Sequence, residues 1–157
     1  ALHLAERGCE IAIQEANNST AEPSTRRIEK LIQERIGTRV CTPIEGDKIR
    51  RAITLTTHWQ GFESVDFVLE SAEEDLGVKR NLCAKLEELV RPRVIIASTS
   101  TNVLIESLQG ELNRPSRVAG FHLTDTRRRL VELVRGPLTD SGTLAALARW
   151  GHAWGFQ

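Results

Sequence analysis

The fold is decided by residues 65–98, whose sequence is VDFVLESAEEDLGVKRNLCAKLEELVRPRVIIAS. Two short apolar runs, at 65–70 and 93–98, have the composition of buried strands. Between them, residues 73–89 place leucines at helical spacing, and Pro92 ends that helix. A strand, a helix and a second strand in this order predict a βαβ unit with parallel strands.

The alternation of strands and helices continues on both sides of this unit. Upstream, the pattern predicts the end of a helix over 1–7, a strand over 10–15, helices over 23–36 and 45–51, and a strand over 52–56. The polar residues 16–24 are expected to form a turn. Downstream, it predicts a helix over 103–111, strands over 117–122 and 130–134, and a closing helix from Thr139 to about Trp150. The chain is therefore predicted to be an α/β protein with a mainly parallel sheet.

The composition excludes several classes of protein. The 157 residues match one ordinary domain, and 21 basic residues balance 21 acidic ones, which argues against a nucleic-acid partner. The longest apolar runs are too short to span a bilayer, so no membrane partner is expected. The cysteines Cys9, Cys41 and Cys83 lie far apart and predict small buried thiols in a reducing, cytoplasmic setting, without a metal site.

Ligands of such folds bind beyond the carboxyl ends of the strands, so residues at strand ends are the candidates for function. Glu15 ends the first predicted strand. An acid at this place in a dinucleotide-binding fold accepts hydrogen bonds from the adenosine ribose, and its charge repels the extra phosphate of NADP. The alternative is a surface acid beside a loop.

His122 and Glu132 form the second candidate pair. His122 ends an apolar strand, and Glu132 lies between Val131 and Leu133 in the next one, with its side chain on the opposite face from both. An imidazole can take a hydroxyl proton near neutral pH, and a carboxylate beside it can fix its tautomer and stabilise its cation. The alternative is an edge histidine and a solvated glutamate.

Two other polar segments each have two interpretations. The hydroxyls of residues 98–102 can cap the following helix or bind a substrate oxygen. The basic run Arg127-Arg128-Arg129 can meet the phosphates of a coenzyme or form a solvated loop.

Five segments occur in an order typical of one enzyme family. They are LAERGCEIAIQE at 4–15, GFESVDFVLESAEEDLGVKR at 61–80, VRPRVIIASTST at 90–101, RPSRVAGFH at 114–122 and LVELVRGP at 130–137. Together they resemble the NAD-binding domain of L-3-hydroxyacyl-CoA dehydrogenases, above all the dehydrogenase part of the multifunctional fatty-acid-oxidation α subunit. The resemblance implies a Rossmann-type, doubly wound sheet, NAD as cofactor and an acyl-CoA as substrate. It also implies a homodimer or a larger β-oxidation complex.

The resemblance implies a role for each matched residue. His122 corresponds to the catalytic base and Glu132 to the acid that orients it. Glu15 corresponds to the ribose-binding acid, while Glu74 and Lys79 correspond to residues that line the cofactor site. In the family's reaction the base removes the proton of the 3-hydroxyl group while hydride passes to NAD, and a 3-ketoacyl-CoA results.

The chain departs from the family pattern at the catalytic hairpin. Thr101 falls on a serine that contacts substrate and cofactor, and shifting the alignment by one residue places Ser100 there instead. Asp125 falls on an asparagine that approaches the nicotinamide, and a carboxylate lacks the amide N–H donors. Between His122 and Glu132 the chain is shorter than the pattern, and residues 126–129 replace an apolar stretch that contains proline.

The family's Gly-rich turn would lie ahead of Ala1, and its helical second domain would follow Gln157. Residues 1–157 are therefore expected to be a NAD-binding domain truncated at both ends. The leading hypothesis is NAD-dependent oxidation of an L-3-hydroxyacyl-CoA. The alternatives are a diverged, non-catalytic module that binds a nucleotide or an acyl-CoA, and a related dehydrogenase of another hydroxy acid.

Overall fold

The computed structural model describes residues 1–125 and 129–157. Residues 127 and 128 of the basic run, and Thr126 before them, lie outside the described residues. The chain divides into two compact units, Ala1–Gln60 and Gly61–Gln157.

The first unit is a parallel strand pair with three helices. Its elements are α1 (Leu2–Glu6), β1 (Ile11–Gln14), α2 (Asn18–Gly37), α3 (Pro43–Arg51) and β2 (Ile53–Thr56). Strands β1 and β2 are parallel and in register from Ile11 opposite Ile53 to Gln14 opposite Thr56. Gly8 adopts a φ of 81° directly after α1, a conformation that glycine reaches without strain.

The turn predicted over residues 16–24 is wrong, because α2 begins at Asn18 and continues through this segment. The side chain of Asn17 accepts the N–H of Thr20, and the hydroxyl of Thr20 accepts the N–H of Asn17. This reciprocal capping satisfies two backbone donors that a helix start leaves free. Pro23 lies inside the helix near its beginning, where its missing N–H removes one intrahelical hydrogen bond.

The second unit contains a four-stranded sheet. Its elements are a 3₁₀ turn (Phe62–Ser64), β3 (Phe67–Glu70), α4 (Leu76–Leu89), β4 (Ile95–Ser98), α5 (Ile105–Gln109), a 3₁₀ turn (Pro115–Arg117), β5 (Val118–Asp125), β6 (Leu130–Val134) and α6 (Ser141–Ala153). The strand order is β3-β4-β5-β6, with β3, β4 and β5 parallel and β6 antiparallel to β5. The prediction of an α/β, Rossmann-type fold with mainly parallel strands is confirmed.

The two faces of this second sheet differ in chemistry. One face packs against α6 around a core that includes Ile95, Ala97, Ala119, Phe121 and Leu147. Since side chains alternate along a strand, the other face carries the intervening residues. On this face one row of paired residues crosses the sheet: Glu70 and Ser98 at the carboxyl ends of β3 and β4, Gly120 near the start of β5, and Val134 at the end of β6.

The three cysteines are free, but only Cys83 is buried, while Cys9 and Cys41 are half-buried. The expectation that all three are buried is thus wrong for two of them. Burial, together with the charge of Glu70, raises the pKa of the Cys83 thiol to about 12, so this thiol stays protonated at neutral pH. Within the described ranges no helix has the length and apolarity that a membrane span requires.

Candidate active site

His122 and Glu132 lie directly opposite each other in the antiparallel pair of β5 and β6. Opposed residues of such a pair project on the same face of the sheet, which here is the face away from α6. Glu132 is exposed and His122 is half-buried. Among the described hydrogen bonds none joins the two side chains, so the register brings the groups near each other without coupling them directly.

The imidazole of His122 lies over Gly120. A β-carbon on Gly120 would stand 3.1 Å from Nε2 of His122 and 2.8 Å from the β-carbon of Val134, so the site requires a residue without a side chain. Nε2 is buried and has no hydrogen-bond partner in the described part of the chain. A buried ring nitrogen without a partner costs about 1–3 kcal/mol, and this cost disappears when a ligand supplies the partner.

Glu74, Ser100 and Thr101 meet at the carboxyl ends of β3 and β4. The hydroxyl of Ser100 donates to Oε2 of Glu74 at 2.5 Å, and the backbone N–H of Thr101 donates to Oε1 at 3.3 Å. The hydrogen bond from Ser100 lowers the pKa of the Glu74 carboxyl, and the Thr101 N–H and the charges of Lys79 and His122 act in the same direction. Glu74 is therefore a carboxylate near neutral pH, within electrostatic range of His122.

The hydroxyl of Ser100 is almost fully used by the protein. It donates its only proton to Glu74 and accepts the N–H of Val103 at 2.9 Å. The predicted helix cap is therefore found only in part. Ser100 caps the turn that precedes α5, but the first turn of α5 itself has no side-chain cap. Thr101 is exposed, and among the described hydrogen bonds its hydroxyl has no partner.

Lys79 is fully buried and does not reach a surface. Its Nζ donates to Oε1 of Glu70 at 2.9 Å, to Oε2 at 3.2 Å and to the carbonyl of Ala72 at 3.0 Å. Glu70 is 2% exposed and Lys79 is 0% exposed. Any influence of Lys79 on a ligand therefore passes through these partners. Glu70 is one of the strand-end residues at which the sequence places candidates for function, but the sequence assigned it no role, because its pairing with Lys79 of α4 depends on the fold.

Glu15 belongs to the first unit and follows β1. Its backbone N–H continues the strand pairing by donating to the carbonyl of Thr56 at 2.9 Å. The hydroxyl of Ser24, which lies on α2, donates to Oε1 of Glu15 at 2.5 Å. The half-buried carboxylate is thus held in place by the helix segment that the sequence had suggested to be a turn.

The backbone of Asp125 ends β5, where it pairs with Leu130 beyond an irregularity at Leu123. The side chain of Asp125 lies outside the described residues. Its correspondence to the family asparagine therefore stays a prediction.

The sequence of the chain matches the profile of one protein family, described as "3-hydroxyacyl-CoA dehydrogenase, NAD binding domain", over residues 1–156. The chain belongs to this family. The resemblance inferred from the five sequence segments is thereby confirmed, and the family indicates NAD as the cofactor.

Several solved structures have the same fold as this chain. The chain is similar to 3-hydroxybutyryl-CoA dehydrogenase from Escherichia coli, with 23% identity and a TM-score of 0.93. It is also similar to FadB2 from M. tuberculosis, with 26% identity and a TM-score of 0.93, and to the dehydrogenase part of multifunctional enzyme 1 from C. elegans, with 20% identity and a TM-score of 0.88. Each alignment covers 99% of this chain but only 34%, 56% and 36% of the respective relative. The chain thus spans between a third and just over half of the length of these relatives.

Proposed function

We propose that this domain serves an enzyme that oxidises an L-3-hydroxyacyl-CoA to a 3-ketoacyl-CoA with NAD. The observation that carries the proposal is the opposition of His122 and Glu132 on one face of the sheet, with Nε2 of His122 buried above Gly120 and without a hydrogen-bond partner among the described residues. As parts of the same proposal, the protein works in the cytoplasm, as a homodimer or within a larger β-oxidation complex.

In this proposal His122 is the base. A substrate hydroxyl that binds at Nε2 supplies the missing hydrogen-bond partner and transfers its proton to that nitrogen. The carboxylate of Glu132, on the neighbouring strand, favours the imidazolium that results and draws the ring into one orientation. Apo geometry of such pairs is often loose and tightens when substrate binds, which fits the absence of a direct hydrogen bond among the described residues.

The residues fit a dinucleotide cofactor. NAD, when bound, supplies the acceptor for the hydride that leaves carbon 3 of the substrate. The Glu15 carboxylate ends a parallel strand, and among the described hydrogen bonds only its Oε1 is occupied, which leaves Oε2 for a ribose hydroxyl. Glu74 and Thr101 offer an acceptor and a hydroxyl at the ends of β3 and β4, while Lys79 acts from below through its buried contacts.

The hydrogen bonds favour Thr101 over Ser100 as the hydroxyl that contacts ligand. Ser100 has committed its proton to Glu74, whereas the Thr101 hydroxyl is exposed. We therefore assign Ser100 to orienting Glu74 and Thr101 to direct contact with substrate or cofactor.

The test is reduction of acetoacetyl-CoA by NADH, followed in the complete protein and in two histidine variants. His122→Gln is expected to lower turnover by roughly 10²-fold or more with NADH affinity nearly unchanged, since the same imidazole acts as the general acid in this direction and general acid–base catalysis contributes about that factor. The matched control is His152→Gln, an exposed histidine near the end of α6. Equal turnover in His122→Gln and the control would refute the proposed base.

A non-catalytic module is the second candidate, because no described hydrogen bond joins His122 and Glu132. Calorimetry with NADH and with acetoacetyl-CoA separates the two functions, since a module binds one or both without turnover. A faster rate on a free 3-hydroxy acid than on its CoA thioester would instead favour the related hydroxy-acid dehydrogenase.

A further inference from the structure

We infer that Glu70 is a positioning residue that ties together the two loops carrying Glu74, Ser100 and Thr101. The kinetic part of this inference rests on the proposed function. Glu70 ends β3 and is 2% exposed, so its side chain is almost completely shielded from solvent. Its side chain nevertheless accepts hydrogen bonds from Ala72 in the first loop and from Ser98, the last residue of β4 before the second loop.

The first loop follows β3 and carries Glu74. Oε1 of Glu70 accepts the N–H of Ala72 at 2.6 Å and Nζ of Lys79 at 2.9 Å. The same Nζ donates to the carbonyl of Ala72 at 3.0 Å. Both backbone polar groups of Ala72 are thus bound by the buried ion pair, and this fixes the backbone two residues before Glu74.

The second loop follows β4 and carries Ser100 and Thr101. Oε2 of Glu70 accepts the hydroxyl of Ser98 at 2.6 Å, and that hydroxyl in turn accepts the N–H of Ser100 at 3.2 Å. The carbonyl of Glu70 also accepts the N–H of Thr99 at 2.9 Å. One residue therefore holds the second loop through its side chain and through its backbone.

The arrangement requires a carboxylate. Each oxygen of Glu70 serves a different loop, and Lys79 bridges both oxygens. An amide at this position has one acceptor oxygen and one donor nitrogen, so one loop would lose its acceptor and the Lys79 charge its partner. The contact between Ser100 and Glu74 joins the tips of the two loops, and it therefore depends on Glu70 at their base.

The experiment compares Glu70→Gln and Ser98→Ala with a matched control, Glu87→Gln, in the complete protein. Glu87 is also a buried carboxylate, 8% exposed, and it accepts the backbone N–H of Asn113 at 2.8 Å, away from Glu74 and Ser100. Amide hydrogen exchange is measured at Ala72, Ser100, Thr101 and Asn113. In Glu70→Gln we expect faster exchange at Ala72, Ser100 and Thr101. In Ser98→Ala we expect it at Ser100 and Thr101. In the control, Glu87→Gln, we expect it at Asn113 alone.

Turnover supplies the second measurement. Glu70→Gln should lower kcat with acetoacetyl-CoA and NADH by on the order of 10²-fold, because a displacement of about 1 Å in a site costs that much. In a double-mutant cycle, Ser100→Ala should have a smaller effect in the Glu70→Gln background than in the wild type, since both changes act through one contact. If Glu70 only stabilises the fold, the effects of Glu70→Gln and Ser100→Ala on kcat should be additive.

Exchange rates at the two loops that match those of the control would overturn the inference, and so would additive kinetics. An inactive wild-type protein would refute the proposed function instead, while the exchange comparison still decides the role of Glu70. Where Glu70→Gln does not fold, the Thr101 amide in Ser98→Ala decides it, because this substitution leaves the ion pair intact and removes the hydroxyl that links Glu70 to the second loop, while Thr101 itself donates to Glu74. Unchanged exchange at Thr101 would then overturn the inference.

Discussion

Nε2 of His122 lies 3.1 Å from the position that a β-carbon on Gly120 would occupy, closer than ordinary van der Waals contact, so the imidazole packs directly against the backbone of residue 120. The same β-carbon would approach the β-carbon of Val134 to 2.8 Å, a contact with the next strand that cannot relax by rotating a flexible side chain. The first prediction follows from this packing.

Gly120→Ala should destabilise the protein by about 1–3 kcal/mol, the usual cost of overpacking, and should lower turnover by displacing the imidazole. Urea unfolding and the acetoacetyl-CoA assay measure the two effects. Gly151→Ala in α6 is the control, because its β-carbon would meet nothing closer than 3.7 Å and alanine favours a helix by up to about 1 kcal/mol. An equally stable and active Gly120→Ala protein would contradict the packing described above.

Ser100→Ala should raise the pKa of the Glu74 carboxyl toward its ordinary value, because the Ser100 hydroxyl is the largest cause of the lowered pKa. In the folded wild type this contribution to stability is present above the pKa of the unfolded state and is lost as pH falls through the lowered pKa. Carboxyl chemical shifts in an NMR titration measure the change. Thr101→Val keeps the backbone N–H that donates to Glu74, so it should leave the titration where it is; a shift of the same size in both variants would argue against the hydroxyl.

Lys79→Met should destabilise the protein by about 3–5 kcal/mol, since it leaves the Glu70 carboxylate buried without its cation. The double variant Glu70→Leu with Lys79→Met removes both charges and should recover only part of this loss, because the N–H of Ala72 and the hydroxyl of Ser98 lose their acceptor. Arg93→Met breaks a contact with Asp66 at the surface, where the side chain of Arg93 is 70% exposed and that of Asp66 is 81% exposed. This variant should change the free energy of unfolding by less than about 0.5 kcal/mol. Chemical unfolding of the three variants makes the comparison, and equal losses for Lys79→Met and Arg93→Met would count against a buried ion pair.

Asn17→Ala should cost about 0.5–2 kcal/mol, because it removes the acceptor that caps the first turn of α2. Thermal unfolding measures the loss. Asn17→Asp retains a side-chain oxygen and serves as the control, with stability close to that of the wild type. If alanine and aspartate were equivalent at this position, residues 17–20 would not form the helix start.

The strands and the His122–Glu132 pair were predictable because both depend on short-range patterns. Alternation within residues 130–134 fixes the face of Glu132, and only a short connection separates it from β5. The start of α2 was not predictable. Asn17 and Thr20 are residue types common in turns, and they act as a cap only when the helix forms. The burial of Lys79 was only partly predictable. Lys79 lies on the same helical stripe as Cys83 and Leu86, but its partner Glu70 belongs to β3, which only the fold places beside it.

Strand β6 carries Val131 and Leu133 into the core beneath α6 and Glu132 to the other face. A slip of one residue against β5 would exchange the faces, placing a carboxylate among the aromatic rings and an aliphatic chain before His122. The free energy of burying Val131 and Leu133 therefore keeps the carboxylate of Glu132, and not an aliphatic side chain, opposite the imidazole. Apolar packing on one side of the sheet thus sets the charge on the other, so in the proposed reaction a substitution at Val131 or Leu133 would alter proton transfer without contacting a ligand.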